Sequence, residues 1–416
     1  MRTRKRGTTP EGRPSGEPMA ATSTGEPGSP RAAAAAQTSK RAAASADAEA
    51  PQALITTFSF DSGDGRRPYS ARVRLSGRHF HAIGPRGRQD EFVRDEIIEG
   101  ILPHNGAVSI TASIDGIERG AWAVRASLVT STDTTGKRSR STAAPASSRR
   151  VLAPAQWSWR RWSLVPAPDM SLRTRWAPLA PFDRRPAVIP GSYAILVALG
   201  VSVALLAQRT PLVHDHIAPS PILTASLMAL AGGLMGAKLW YVALHLRSWR
   251  EAIFVGWCIQ GFVLGSTVIL AAVLSVWHLP VGVVLDAVAP GMLLGLAVGR
   301  IGCFFTGCCA GRISASRWAL WSSDGRVGAR RIPTQLWESL AAAAIGAASW
   351  FSALHADPGV PGVLFAASYA AYTLSRQLVL RFRAERRRSV AGSPLVAGLS
   401  AVVLVAALFA QVVTGR

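Results

Sequence analysis

Residues Gly299 to Arg312 read Gly-Arg-Ile-Gly-Cys-Phe-Phe-Thr-Gly-Cys-Cys-Ala-Gly-Arg, with four glycines, two arginines and three cysteines between strongly apolar stretches. Glycine lets backbone approach a ligand and adopt dihedrals closed to other residues. Arginine at membrane depth is costly unless it has a partner. A backbone-lined pocket with fixed positive charge suits a lipid phosphate, because a guanidinium stays charged and offers paired donors to two phosphate oxygens. The same segment also permits other chemistry. Cys303, Cys308 and Cys309 form a C-x4-C-C cluster that would suit a soft metal or a redox pair, although no histidine accompanies them and the paired spacing of metal sites is missing. The bland reading is small residues packing a glycine-rich turn.

The elements that must hold these groups come in two halves. The chain has 416 residues, 49% of them hydrophobic, and a formal net charge of +22. Its first half is rich in Arg, Ala, Ser and Pro, and its second half in Leu, Val, Ala and Gly. The expected fold is an all-α polytopic membrane protein with a small α+β soluble N-terminal module. Basic runs flank the apolar segments, so the excess charge points to anionic membrane lipids as partners and not to nucleic acid. All four cysteines lie in the membrane half, which excludes the disulfide framework of a small secreted domain. The N-terminus is basic with no continuous apolar core after it, so insertion is expected to rest on the later helices and not on a cleavable signal peptide.

Residues 1–50 are low-complexity and read as a disordered basic tail. Residues 51–130 read as the soluble module. Strand-like residues occupy Leu54–Phe60 and Ala71–Leu75, with a turn signal at Gly63–Gly65. Glu91–Leu102 carries Phe92, Ile97, Ile98 and Leu102 at helical spacing. Val108–Ile114 alternates, and Asp115-Gly116 reads as a hairpin turn before Trp122–Val129. His79, His81 and His104 follow no ligand spacing and read as structural or exposed, so no metal is expected. Residues 131–187 read as a juxtamembrane linker in which Trp157, Trp159, Trp162 and Trp176 alternate with arginines, as in an interfacial belt. Residues 188–416 hold about seven helix-length apolar runs, near 191–207, 221–245, 252–277, 281–298, 335–354, 360–380 and 393–412. The basic groups Arg184/Arg185, Arg247/Arg250 and Arg381–Arg388 fall on one side, and the positive-inside rule puts that side, with the N-terminus and by parity the 299–334 loop, in the cytoplasm.

The membrane half resembles the prolipoprotein diacylglyceryl transferase family. That family's signature is close to G-R-x-G-N-F-x-N-G-E-x-x-G-R, and Gly299, Arg300, Gly302, Phe304, Gly307, Gly311 and Arg312 fall in register with it. Arg331-Ile332-Pro333-Thr334-Gln335-Leu336-Trp337-Glu338 is similar to R-H-P-S/T-Q-L-Y-E. Gly236 to Val242 is similar to G-A-R-L-G-Y-V, Ile259 to Gly265 to F-H-G-G-L-I-G, and Ser192-Tyr193 to the start of the first helix. The sequence departs at Gln260, where the family has His; at Cys303 and Thr306, where it has Asn; at Cys308, where it has Glu; at Lys238, where it has Arg; and at Ile332, where it has His.

The resemblance implies transfer of a diacylglyceryl group from phosphatidylglycerol to the lipobox cysteine of a prolipoprotein, in the plasma (inner) membrane and with no cofactor. It also implies that the signature faces the outer side, which the charge count contradicts; the side stays open. On this reading Arg300 and Arg331 clamp the phosphate. Gln260, with no basic nitrogen at neutral pH, can only orient or donate a hydrogen bond. Glu338 orients an arginine, and Tyr193, Lys238, Gly302, Cys303, Gly307, Gly311, Arg312 and Gln335 line the substrate site. Two alternatives remain: a non-catalytic phospholipid-binding membrane protein, and a cysteine-based redox or metal membrane protein.

Overall fold

A computed structural model of the chain describes residues 52–80, 90–133, 150–167, 172–246, 249–253, 256, 258–356, 359–384 and 392–414. The basic tail, His81 and most of the Arg381–Arg388 run lie outside the described residues.

Period-two burial builds the N-terminal half. In β1 (Gln52–Asp61), Phe58 and Phe60 point inward, and in β2 (Tyr69–His79) so do Ala71, Val73 and Leu75. They are followed by β3 (Glu91–Ile101), β4 (Ala107–Asp115), β5 (Ala121–Asp133), β6 (Arg150–Val151), β7 (Ala153–Ser158), β8 (Ser163–Pro166), β9 (Leu172–Arg173) and β10 (Arg175–Trp176). One sheet contains β4, β1, β7 and β8 in that order, and the other runs β3-β2-β5-β6. The buried side chains of both sheets form one shared core that includes Phe58, Val73, Leu75, Ile98 and Ile110, as in a sandwich. The module is β-rich, with no α-helix among the described residues of its first five strands.

Two sequence expectations change here. Glu91–Ile101 is a strand and not a helix: Glu96 and Ile98 turn inward while Val93 and Ile97 are exposed. Apolar residues on both faces of this outer strand imitate helical spacing. Asp115-Gly116 is a turn, with Gly116 at φ 74°, but it joins no hairpin. It carries the chain from β4 in one sheet to β5 in the other. The segment read as a linker supplies β6 to β10, and Trp157, Trp159 and Trp162 form a packed group while Trp176 is exposed. Trp157 stacks on Trp321 at 4.5 Å between ring centroids, and Trp162 stacks on Phe304.

The second half is helical: α1 (Ser192–Ala207), α2 (Arg209–His214), α3 (Pro219–Leu244), α4 (Ile259–Val276), α5 (Val281–Thr306), α6 (Thr334–His355), α7 (Val363–Val379) and α8 (Gly392–Thr414). Four spans among the described residues are long and apolar enough to cross a membrane: Ser192–His214, Pro219–Leu244, Val281–Thr306 and Gly392–Thr414. The protein is therefore a polytopic membrane protein, but the expected seven spans are not all of this kind. The 22-residue helix α6 buries Gln335, Glu338 and Ser339, which lowers its hydropathy, while α7 has only 17 residues. Small residues let helices touch. A Cβ on Gly236 would collide with the backbone of Gly261, and one on Gly265 with that of Gly232, so α3 and α4 pack backbone to backbone.

The two halves share a sheet. After α5 the chain forms the hairpin β11 (Leu320–Ser323) and β12 (Val327–Arg331), and β12 pairs antiparallel with β4 through Val327–Ile110 and Gly328–Ser109. Buried Asn105 accepts the Arg330 amide at 2.9 Å and donates to the carbonyls of Ser314 and Arg330 at 3.0 and 3.2 Å. Arg326 adds an ion pair to Glu96 at 3.1 Å.

Candidate active site

The site grows from the end of α5. Gly307 closes that helix with φ 81°, and its amide and that of Cys308 return to the Cys303 carbonyl. This left-handed cap is the reason for glycine there. The chain then turns back through Cys308 and Cys309, whose carbonyls are held by Gln335 Nε2 at 2.8 Å and Thr334 Oγ1 at 3.2 Å. Gly311 bridges to Arg383, and a Cβ there would strike the Ile332 carbonyl oxygen. The Arg312 amide donates to the Phe382 carbonyl at 2.9 Å, and Arg312 Nε donates to the Arg383 carbonyl at 3.1 Å. The glycine-rich segment is thus stitched to the chain just beyond α7.

That stitching brings four charged side chains together. Glu338, on α6, is 1% exposed. Arg300 Nε lies 3.0 Å from its Oε2, Arg383 Nη2 donates to both its oxygens at 3.0 and 3.1 Å, and Arg376 Nη1 approaches them at 3.4 and 3.3 Å. Three helices deliver Arg300, Glu338 and Arg376, the extended chain beyond α7 delivers Arg383, and the helices are held in place by specific bonds. Ser339 Oγ on α6 donates to the Ala297 carbonyl on α5 at 2.7 Å. Buried Asp286 on α5 accepts the amides of Gly362 and Phe365 at 2.6 and 2.7 Å and so caps the start of α7.

Three guanidiniums against one carboxylate leave two positive charges in a buried place. Some donors there are also unspent. Arg300 Nε approaches Glu338 without a hydrogen-bonding angle, and Arg300 Nε and Arg383 Nε have no hydrogen-bond partner among the described residues. Tyr372 stands beside Arg300. Buried polar atoms are seldom left unpaired in a native protein, so surplus charge with surplus donors marks the seat of an anion.

The sequence-expected residues separate into two groups. Arg300, Glu338 and Cys303 meet in the cluster, with Arg300 Nη1 at 3.9 Å from Cys303 Sγ. Arg331 is 3% exposed, but it serves the loop: it donates to Asp324 Oδ2 at 2.7 Å and to the carbonyls of Gly311 and Val327. Burial lowers its pKa, and the neighbouring Asp324 carboxylate opposes that shift. Gly302 gives α1 room, since a Cβ there would press on the backbone of half-exposed Tyr193. Lys238 donates to the Gly256 carbonyl at 3.2 Å. Gln260 lies in the first turn of α4, and its side chain is outside the described set. Arg376 and Arg383 were missed. Cys303, Cys308 and Cys309 are free thiols that interact with one another.

A cavity of about 1050 Å³ opens beside this site. Ile97, Glu99 and Leu102 line it from the N-terminal half, and Arg312, Arg331 and Leu380 from the membrane half.

Residues 188–414 match the family model described as prolipoprotein diacylglyceryl transferase. A Dehalococcoides mccartyi protein named phosphatidylglycerol–prolipoprotein diacylglyceryl transferase is 31% identical over 195 residues, 44% of this chain and 75% of that one. Proteins of the same name from Streptomyces avermitilis and Corynebacterium efficiens are 29% and 27% identical over 245 and 261 residues, each covering 54% of this chain and 69% and 78% of their own.

Proposed function

The chain belongs to the prolipoprotein diacylglyceryl transferase family, and on that premise we propose how its buried arginines serve the reaction. The protein is a transferase of lipoprotein biosynthesis that moves a diacylglyceryl group. The donor is phosphatidylglycerol and the acceptor is a prolipoprotein cysteine. The single observation that carries the assignment to this site is the excess of three arginines over Glu338, with donors to spare.

The acceptor thiolate attacks the glyceryl carbon that bears the phosphate. A carbon–sulfur bond forms, the carbon–oxygen bond to phosphate breaks, and glycerol phosphate departs with the electron pair. Charge builds on the phosphate as it leaves. Arg300, Arg376 and Arg383 are already gathered to meet it, so little reorganisation is needed at the moment of reaction. Glu338 fixes the three forks and spaces them. The same positive field lowers the pKa of a thiol brought beside it. Gln260 stands where the family has histidine and has no basic nitrogen, so the thiol gives its proton to water before the attack, helped by the arginine field, and the monoester leaves as an anion. Arg331, Gly307, Gly311, Arg312 and Gln335 hold the loop on which this geometry depends, and Tyr193 and Lys238 border the headgroup.

The shorter or more polar helices α4, α6 and α7 complete seven spans in this reading, since Glu338 on α6 and Arg376 on α7 turn to the site and not to lipid. We place the protein in the plasma membrane, where both substrates meet. Transfer of labelled diacylglycerol from phosphatidylglycerol vesicles to a lipobox peptide tests the assignment. Turnover by the wild type that is lost in Arg376→Ala and Arg383→Ala supports it. Undiminished turnover in both variants overturns it.

A further inference from the structure

At the end of the N-terminal sandwich away from Asn105, three strand ends meet. His79 closes β2, Asp90 precedes β3, and Glu118 lies in the turn between β4 and β5. One ligand atom from each lies within 4.8 Å of the others. The backbone there is well held: the His79 amide donates to the Asp90 carbonyl at 2.9 Å, the Thr174 amide to the Gly120 carbonyl at 2.9 Å, and Trp122 Nε1 to the Glu118 carbonyl at 3.0 Å. The imidazole lies against the Trp122 ring at 5.2 Å and over Gly120, where a Cβ would collide with Nε2.

The His79 side chain is 8% exposed, and neither ring nitrogen has a hydrogen-bond partner among the described residues. A buried imidazole of this kind is expensive. Its Nδ1 faces Asp90 Oδ1 at 3.9 Å. That gap is too long for a proton to bridge as a hydrogen bond. A zinc ion bonded to both at about 2.0–2.2 Å and a tetrahedral angle would hold them about 3.4 Å apart, so a small inward shift of either side chain closes the site. The geometry points to a divalent transition-metal site formed by His79, Asp90 and Glu118, with zinc the best match. The nitrogen ligand argues against calcium and magnesium, which take oxygen donors. The exposed Glu118 leaves one side open to water. The site clamps the ends of β2 and β3 and the β4–β5 turn together, far along the sandwich from the arginine cluster, so it is structural. The sequence offered no such reading, because the three residues have no motif spacing and meet only through the sheet pairing.

The test uses the full-length protein in detergent, stripped by chelator and titrated with Zn2+ and then Co2+. The expected result is one tightly bound Zn2+, with affinity reduced roughly tenfold or more in His79→Ala and in Glu118→Gln, since even outer-sphere partners cost that much. Bound Co2+ should lack a thiolate charge-transfer band, and chelator should lower the melting temperature of the wild type but not of Glu118→Gln. Glu118 is exposed, so its variant folds even if His79→Ala does not. Absence of binding overturns the proposal. So does binding that both variants retain, or a thiolate band that places the metal on the cysteines.

Discussion

Asn105 and Arg330 are joined by two reciprocal hydrogen bonds, amide to Oδ1 at 2.9 Å and Nδ2 to carbonyl at 3.2 Å. One residue ends the loop before β4 and the other lies in β12, so a single side chain extends the sheet across the junction between the soluble and membrane halves. Asn105→Ala removes both bonds and the one to Ser314; the Arg330 carbonyl keeps the Ser314 amide at 3.0 Å, while the Arg330 amide and the Ser314 carbonyl lose the Asn105 partner at about 1–3 kcal/mol each. We expect a lower melting temperature and faster amide exchange in residues 311–331. Exchange that stays at the wild-type rate would show that the junction is held by other contacts.

Arg300→Ala, Arg376→Ala and Arg383→Ala should each lower turnover by roughly 10²–10³-fold, the usual loss when one donor to a developing anion is removed. Glycerol phosphate, the leaving group, should inhibit the wild type and lose potency in all three. Inhibition constants that do not move would separate the cluster from the phosphate.

Glu338→Gln leaves three buried guanidiniums without a counter-charge. Breaking a buried ion pair from one side costs about 3–5 kcal/mol. A large drop in melting temperature is expected, partly reversed by added glycerol phosphate, which restores negative charge. A drop that the anion does not reverse would argue that Glu338 only packs.

Arg331 and Asp324 form a 2.7 Å pair inside the loop. Arg331→Ala and Asp324→Asn should therefore behave alike, with loosened loop exchange and weakened activity, and the double variant should lose little more than either. Additive losses would mean that Arg331 acts on substrate directly.

Gly307→Ala forces an L-residue into φ 81° and brings its Cβ to 2.6 Å from the Ser323 carbonyl. The left-handed conformation alone costs about 1–2 kcal/mol. Reduced thermal stability, measured in detergent, checks it.

The sequence pattern led to part of this site and not to the rest, for physical reasons. Arg300 was legible from the glycine-rich segment and Glu338 from the Arg331–Glu338 block, because both stand in register with the family's motifs. Arg376 and Arg383 were not, because they adjoin a basic run that reads as a topology charge. Arg383 reaches Glu338 only because the chain leaves α7 and turns extended to bridge Gly311, which no periodicity in the sequence signals. Arg331 stood in the expected motif, but its partner Asp324 belongs to a turn whose position no periodicity specifies. In the sandwich, strands such as β4 were readable from alternation. Their pairing was not, because a turn that crosses between sheets and one that closes a hairpin carry the same local residues, as at Gly116. β3 was misread because Ile97 is apolar yet exposed, and with Phe92, Ile98 and Leu102 it imitates helical spacing.

The pairing of β4 with β12 has a consequence for how the chain is made. β4 is synthesised early and β12 only after α1, α3, α4 and α5. Until then one edge of the sandwich offers unpaired backbone donors and acceptors, which invite pairing with another chain. The soluble half therefore stays incomplete through the whole period of helix insertion, and a ribosome stalled before residue 327 leaves behind a half-finished sheet with an adhesive rim. Biogenesis of this protein is timed by its membrane half, although its N-terminal half emerges first.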